Sequence, residues 1–260
     1  MTISFEELEK TFQQYVARFF NGEPTNDYHI DLKLRHSLRV YELARRIVHE
    51  ENLDEETARQ ACIAALLHDT GRFEQYRRYA TFHDPSSENH ARLGITALLS
   101  SSLTKGLSRR ERRCLLGAVF LHNVRDLPPR LREPLGTVTR VVRDSDKLDI
   151  IPVVLEHLSA GAAASPVVTL GIEPAPNQYT HSIYQQVLAG QSADYQAMRW
   201  YNDFRLLVLG WIADLNFTAA KRIYRMRGYA EALFQDLPDI PEMRRLHETV
   251  DQRLGPSSKA

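Results

Sequence analysis

A histidine and an aspartate stand side by side at the end of an unusually apolar run, Ala65-Leu66-Leu67-His68-Asp69-Thr70-Gly71-Arg72-Phe73. A carboxylate carried into apolar surroundings is costly unless it is paired or bound to a cation. Imidazole nitrogen and carboxylate oxygen are also good ligands for divalent transition metals. Three more histidines, His36, His90 and His122, fall on or beside apolar helical stripes. An acidic segment, Arg143-Asp144-Ser145-Asp146-Lys147-Leu148-Asp149, is embedded between Val141-Val142 and Ile150-Ile151. Asp146 and Asp149 lie one turn apart on a shared face, and Arg143 and Lys147 could neutralise part of the charge. A second pair, His83-Asp84, sits in a polar stretch followed by Pro85-Ser86, where the same burial cost does not arise.

If the helices carrying these groups surround one cavity, a first metal could use His36, His68, Asp69 and Asp146. A second could sit on the other oxygen of Asp69 with His90 and His122. A nitrogen-oxygen donor set without thiolate suits Mn, Fe, Zn, Ni or Co, and Mg also fits an oxygen-rich second position. Two metals bridged by one carboxylate can activate a water and clamp both ends of a phosphoryl displacement. The segment after the pair holds Arg72, Gln75, Arg77 and Arg78, placed to touch a ligand, and guanidinium groups can bind phosphate bidentately. Lys147 either pairs with Asp144 or reaches a bound substrate. Lys105, Arg109, Arg110, Arg112 and Arg113 read as a solvated helix face.

The elements that must position these side chains are helices. Ser4-Phe5-Glu6-Glu7 and Ser108-Arg109-Arg110-Glu111 have the spacing of capping boxes. Apolar periodicity predicts helices over about 5–20, 32–50, 55–68, 87–100, 109–122 and 135–158, with Asp54 capping the third and Asn21-Gly22-Glu23-Pro24 stopping the first. Residues 70–86 read as irregular, and the glycine at 71 as a turn. Further helices are expected over about 180–188, 193–212, 218–227 and 241–254, with Trp200, Tyr201, Phe204, Leu207, Val208 and Trp211 forming a bulky stripe. No convincing strand appears; Pro166–Leu170 is too short. The Gly-, Ala- and Pro-rich stretch 161–178 is a long loop and the best boundary.

At 260 residues, with 43% apolar and 25% charged side chains, the chain is ordinary globular material. Lys plus Arg and Asp plus Glu both number 33, so bulk charge gives no signal for nucleic acid or a membrane surface. Cys62 and Cys114 lie in apolar runs and read as buried free thiols. No leader and no membrane-length apolar stretch is seen, which makes the cytoplasm the default compartment. Nothing speaks clearly for or against a homo-oligomer.

The ordered set resembles the HD-domain superfamily of metal-dependent phosphohydrolases, over about residues 30–158. His36-Ser37-Leu38-Arg39-Val40 with Leu43-Ala44 is similar to its first motif, and Leu67-His68-Asp69-Thr70-Gly71-Arg72 to its defining one. Asn89-His90-Ala91 and Leu121-His122-Asn123 resemble the motifs of longer, two-metal members. Asp144-Ser145-Asp146-Lys147-Leu148-Asp149 resembles the last motif, where the aspartate before the basic residue is the usual ligand, and this implies Asp146 rather than Asp144 or Asp149.

The resemblance implies an all-α HD-type bundle, placed over 1–160; the sequence pattern beyond it reads as a helical C-terminal extension over 161–255 packed on the bundle and a disordered tail, 256–260. It implies hydrolysis of a phosphomonoester, a phosphodiester or a nucleotide, and so a small phosphorylated partner. Asp69 would bridge the metals, with Arg72 and Lys147 supplying positive charge beside it and Asn123 contacting substrate, supporting a neighbouring ligand or capping a helix. Cyclic dinucleotide phosphodiesterases of the family carry two adjacent histidines where this chain has His122-Asn123. Several nucleotide phosphohydrolases lack counterparts of His90 and His122. Some six-ligand relatives are di-iron oxygenases, so an oxygenase and a non-catalytic nucleotide sensor are the rival expectations.

Overall fold

The computed structural model describes residues 3–159 and 172–255. These form two compact units, Met1–Asp149 and Ile150–Ala260. The described secondary structure is helical, with one isolated bridge, Glu173 to Trp200, in place of any sheet. No described helix is long and apolar enough to cross a membrane. Residues 160–171 and 256–260 lie outside the described part, and with them the expected boundary loop in large measure, the Pro166–Leu170 stretch and the tail.

In the first unit, α1 (Phe5–Ala17) opens with the expected capping box, Ser4 and Glu7 satisfying each other's backbone N–H groups. α2 (Pro24–Glu50) starts well before Leu32, where apolar periodicity had placed it. Proline at its first turn is pre-organised for helix, and the Asp27 carboxylate accepts from the N–H groups of Asn21 and Gly22, fixing the entry. α3 (Glu55–Leu67) is capped by Asp54 and buried along its whole second half. Cys62 and Cys114 are buried free thiols.

Residues Thr70–Tyr79 are a helix, α4, not the irregular segment expected. The apolar signal is sparse because Phe73 and Tyr76 supply most of it, but Phe73 is fully buried against Phe12, Tyr15 and Phe19 of the α1 region. Burying a phenyl ring this way stabilises by roughly 2–3 kcal/mol, enough to override weak local preference. Arg77 and Arg78 in the last turn complement the helix dipole, and Ala80 leaves with a φ of +50°.

α5 (His90–Ser100) follows the Asn89 cap, whose side chain accepts from Arg92 N. Gly71 is not a turn residue. It lies inside α4, where a Cβ would come within 2.0 Å of the His90 carbonyl oxygen and 2.4 Å of Gly94 N. The absence of a side chain lets α4 and α5 pack backbone to backbone. α6 (Arg109–Leu121) has the second capping box, and α7 (Leu135–Ser159) carries the acidic segment.

The second unit contains α8 (His181–Leu188), α9 (Tyr201–Gly210), α10 (Thr218–Met226), α11 (Tyr229–Phe234) and α12 (Pro241–Leu254). The single helix expected over 193–212 is broken. The buried Asp203 carboxylate accepts from Thr180 N, Arg199 N and Trp200 N, which restarts the helix at Tyr201. Every residue of α9 is buried, so it is held by packing on all sides. The short α11 had no periodic signal to announce it; it follows Gly228, which supplies a φ of +62°.

Candidate metal centre

The end of α3 meets the start of α4 at the His68-Asp69 pair: His68 is the C-cap of one helix and Asp69 the N-cap of the next. His122 is the C-cap of α6, His90 opens α5, His36 lies within α2 and Asp146 within α7. Six helices therefore converge here, each through a residue of the first unit. All four histidines and Asp69 are at least nine-tenths buried.

Each imidazole is oriented through Nδ1. His68 Nδ1 donates to the Ala65 carbonyl at 2.8 Å and His122 Nδ1 to the Val119 carbonyl at 2.7 Å. His36 Nδ1 donates to Asp149 Oδ2 at 2.8 Å, and His90 Nδ1 to Asp84 Oδ2 at 2.7 Å. Carbonyl and carboxylate oxygens only accept, so Nδ1 carries the proton and, in the neutral rings, Nε2 is left as a lone pair.

Those lone pairs gather on Asp69. His36 Nε2 and His68 Nε2 lie 3.5 and 3.8 Å from Oδ2; His90 Nε2 and His122 Nε2 lie 3.5 and 3.7 Å from Oδ1. Asp146 Oδ1 joins the first group, 3.1 Å from His36 Nε2 and 3.6 Å from His68 Nε2. Ligand atoms of His36, His68 and Asp69 thus form one potential metal triad, and those of Asp69, His90 and His122 another.

Residues 34–151 match the family model described as HD domain. Residues 34–151 form an HD domain. It matches no curated protein and no solved structure.

The residues of this HD domain fit one or two divalent transition metals. His36 Nε2 and His68 Nε2 are buried and make no hydrogen bond. His90 Nε2 and His122 Nε2 approach to 3.0 Å although both rings already donate from Nδ1. Two lone pairs at that distance repel unless a cation lies between them. Metal–nitrogen and metal–oxygen bonds of about 2.1 Å put neighbouring ligand atoms roughly 3–3.5 Å apart, close to the separations here.

The electrostatics favour a neutral ring at His90 and ionised carboxylates around it, whereas at His36 burial and Lys33 pull the pKa down but Asp146 and Asp149 outweigh them and raise it. Burial, with Arg72 nearby, pushes His90 down to about 3 despite its bond to Asp84. Burial works against ionised Asp69, but Lys33, His68 and Arg72 hold its carboxyl well below the usual range. Burial also opposes Asp84, yet the His90 bond and Arg72 bring it down to about 2. Asp149 is held low by His36 and by Arg39, whose Nε and Nη2 donate to its two oxygens at 2.7 and 2.9 Å, again against burial. Asp149 is therefore the carboxylate that aims His36, while Asp146 meets its Nε2.

The other expected site residues divide. Arg72 lies beside the centre, Nε 3.4 Å from Asp69 Oδ1, but its Nη1 is occupied by Gln75 Oε1, the Phe82 carbonyl and Asp84 Oδ1. Gln75 is fully buried and donates to Asp84, Ser87 Oγ and the Glu88 carbonyl, so it holds the 82–88 segment. Arg77 and Arg78 are exposed and both pair with Glu74. They line a groove of about 440 Å³ with Arg18, Tyr15 and Phe19, and none of the residues lining it belongs to the histidine cluster. Asn123 Nδ2 donates to Asp84 Oδ2 at 3.3 Å, which makes it a support for the residue behind His90. Lys147 is half-buried next to Asp146. Arg143 does not neutralise the acidic segment as expected; it donates to the carbonyls of His122, Val124 and Arg125 and so closes the end of α6.

Two residues at the centre were not among the expected site residues. Asp84 gathers His90, Arg72, Gln75 and Asn123 on one carboxylate. Its adjacency to His83 was a signal, but the polar surroundings hid it. Lys33, one turn before His36, places Nζ 2.8 Å from Asp69 Oδ2.

Proposed function

We propose that this chain is a metal-dependent phosphohydrolase, acting on a phosphomonoester, a phosphodiester or a nucleotide. The observation that carries the reading is the set of four histidines, each proton-anchored at Nδ1, with their Nε2 atoms divided between the two oxygens of one buried carboxylate. Bound there, divalent ions would supply a water of lowered pKa and positive charge for the phosphoryl oxygens.

The chain's own groups do the positioning. Asp69 shares its oxygens between the two triads, and Asp146 adds a carboxylate to the first. Asp149 and Asp84 fix the ring planes of His36 and His90, and the helix-end carbonyls fix His68 and His122, so the donor set is organised before anything binds. Arg72 ties the 82–84 segment to Asp69 and contributes charge beside it; Lys147 contributes charge next to Asp146. The two buried, unpaired cysteines are compatible with a cytoplasmic home for such an enzyme.

Metal-depleted protein refilled with Mn, Fe, Co, Ni, Mg or Zn, and offered phosphomonoesters, phosphodiesters and nucleotides, tests the reading by phosphate or nucleotide release. Turnover that is lost in Asp69→Ala together with bound metal supports it. Dioxygen uptake by the iron form without phosphate release would overturn it in favour of an oxygenase. Tight nucleotide binding without turnover in any metal form would make the protein a sensor.

A further inference from the structure

Lys33 puts a fixed cation on the oxygen that the first triad shares. Nζ is 2.8 Å from Asp69 Oδ2, the same atom that lies 3.5 Å from His36 Nε2. The Lys33 side chain is only 15% exposed, and its Nζ lies 5.3 Å from the centroid of the Phe82 ring. An ammonium that has lost most of its water is tolerated only because an anion neutralises it, and here that anion is Asp69. A divalent ion held by His36, His68 and Asp69 competes for this oxygen. Once bound, it places two positive charges close to the ammonium in a weakly hydrated space, where like charges repel strongly. The ammonium then needs a different anion. A doubly charged phosphoryl group drawn to the same centre supplies one.

We propose that Lys33 is an exchangeable counter-cation: it neutralises Asp69 until a divalent ion takes that oxygen, and then binds the phosphoryl group of the substrate. The second half rests on the phosphohydrolase reading; the first concerns only competition between an ammonium and an ion for one oxygen. The residue is a short step from the centre along α2, and its four-carbon stem gives the freedom that the rigid Arg72, tied at Nη1, lacks.

Two charge-removing variants, Lys33→Gln and Lys33→Met, and the charge-keeping Lys33→Arg are checked for folding by circular dichroism. Calorimetric titration then reads Mn²⁺ binding to metal-depleted protein and inorganic phosphate binding to Mn-loaded protein. Gln or Met is expected to bind Mn²⁺ about tenfold more tightly than wild type and inorganic phosphate about tenfold more weakly, with Arg restoring phosphate binding. Unchanged or weaker Mn²⁺ binding in the folded Gln or Met variant overturns the exchange, and unchanged phosphate binding overturns the substrate role. Variants that show the Mn²⁺ shift beside a wild-type protein that hydrolyses no phosphomonoester, phosphodiester or nucleotide defeat the functional reading and leave the exchange standing.

Discussion

His90 Nε2 and His122 Nε2 sit 3.0 Å apart, and each ring's Nδ1 already donates, to Asp84 and to the Val119 carbonyl respectively. A metal ion held by both Nε2 atoms would reconcile that pair. His122→Ala should lower the Mn²⁺ bound at saturation from two ions to one while the His36–His68 side keeps its own. Equilibrium dialysis with elemental analysis reads the stoichiometry; two ions retained in His122→Ala would refute the second triad.

Asp84 aims His90 and is anchored in turn by Arg72, Gln75 and Asn123. Residues that orient a ligand from behind typically matter by about 10- to 100-fold in metal affinity. Asp84→Asn is expected to weaken the second Mn²⁺ by that order and leave the first nearly unchanged. A stepwise Mn²⁺ titration followed by calorimetry separates the two events, and equal weakening of both would show that Asp84 supports the whole fold instead.

Gly71 predicts a sharp asymmetry. A methyl there collides with backbone, the His90 carbonyl oxygen at 2.0 Å and Gly94 N at 2.4 Å, whereas a methyl at Gly94 first meets Val119 Cγ1 at 3.2 Å. Overpacking against immovable backbone costs on the order of 3 kcal/mol or more, and the second substitution less. Gly71→Ala should therefore melt far lower than Gly94→Ala, and should lose the second metal because α5 carries His90. Comparable melting temperatures in calorimetric scans would contradict the close helix crossing.

Glu111 gives a pH signature away from the centre. Its carboxylate accepts from Ser108 N and from Arg59 Nε, both at 2.8 Å. Burial alone would raise its pKa, but these partners hold it below the ordinary value of 4.5. A depressed folded-state pKa contributes stability that is present above the unfolded value and disappears as pH falls through the folded one. Glu111→Gln should cost about 1 kcal/mol at pH 7, with the difference from wild type shrinking below about pH 4. Urea midpoints at the two pH values check this; a constant difference would mean that the charge is not what matters.

The sequence made the histidines legible because each stood out against an apolar stripe, and His68-Asp69 most of all. Both capping boxes and the helical character of the chain were equally open, since they depend on residues three or four positions apart. Asp84 was not, because its partners come together only after α4 and α5 cross. Lys33 escaped for a related reason: a lysine one turn from a histidine looks like ordinary surface until Asp69 is placed against it. The helix at Thr70–Tyr79 was hidden by its own polarity, its stability coming from the aromatic rings of Phe12, Tyr15 and Phe19 packed on Phe73.

The four imidazoles are not aimed by equivalent means. Those at 68 and 122 lean on carbonyls of their own helices three residues back, so a single turn suffices to set them. The ring at 90 borrows a carboxylate six positions away, and the ring at 36 depends on one 113 positions away. A fragment cut short of Asp149 would therefore retain most of the donor set in its proper attitude yet let His36 swing. The minimal chemically competent piece is fixed by its most distant anchor, not by its last ligand.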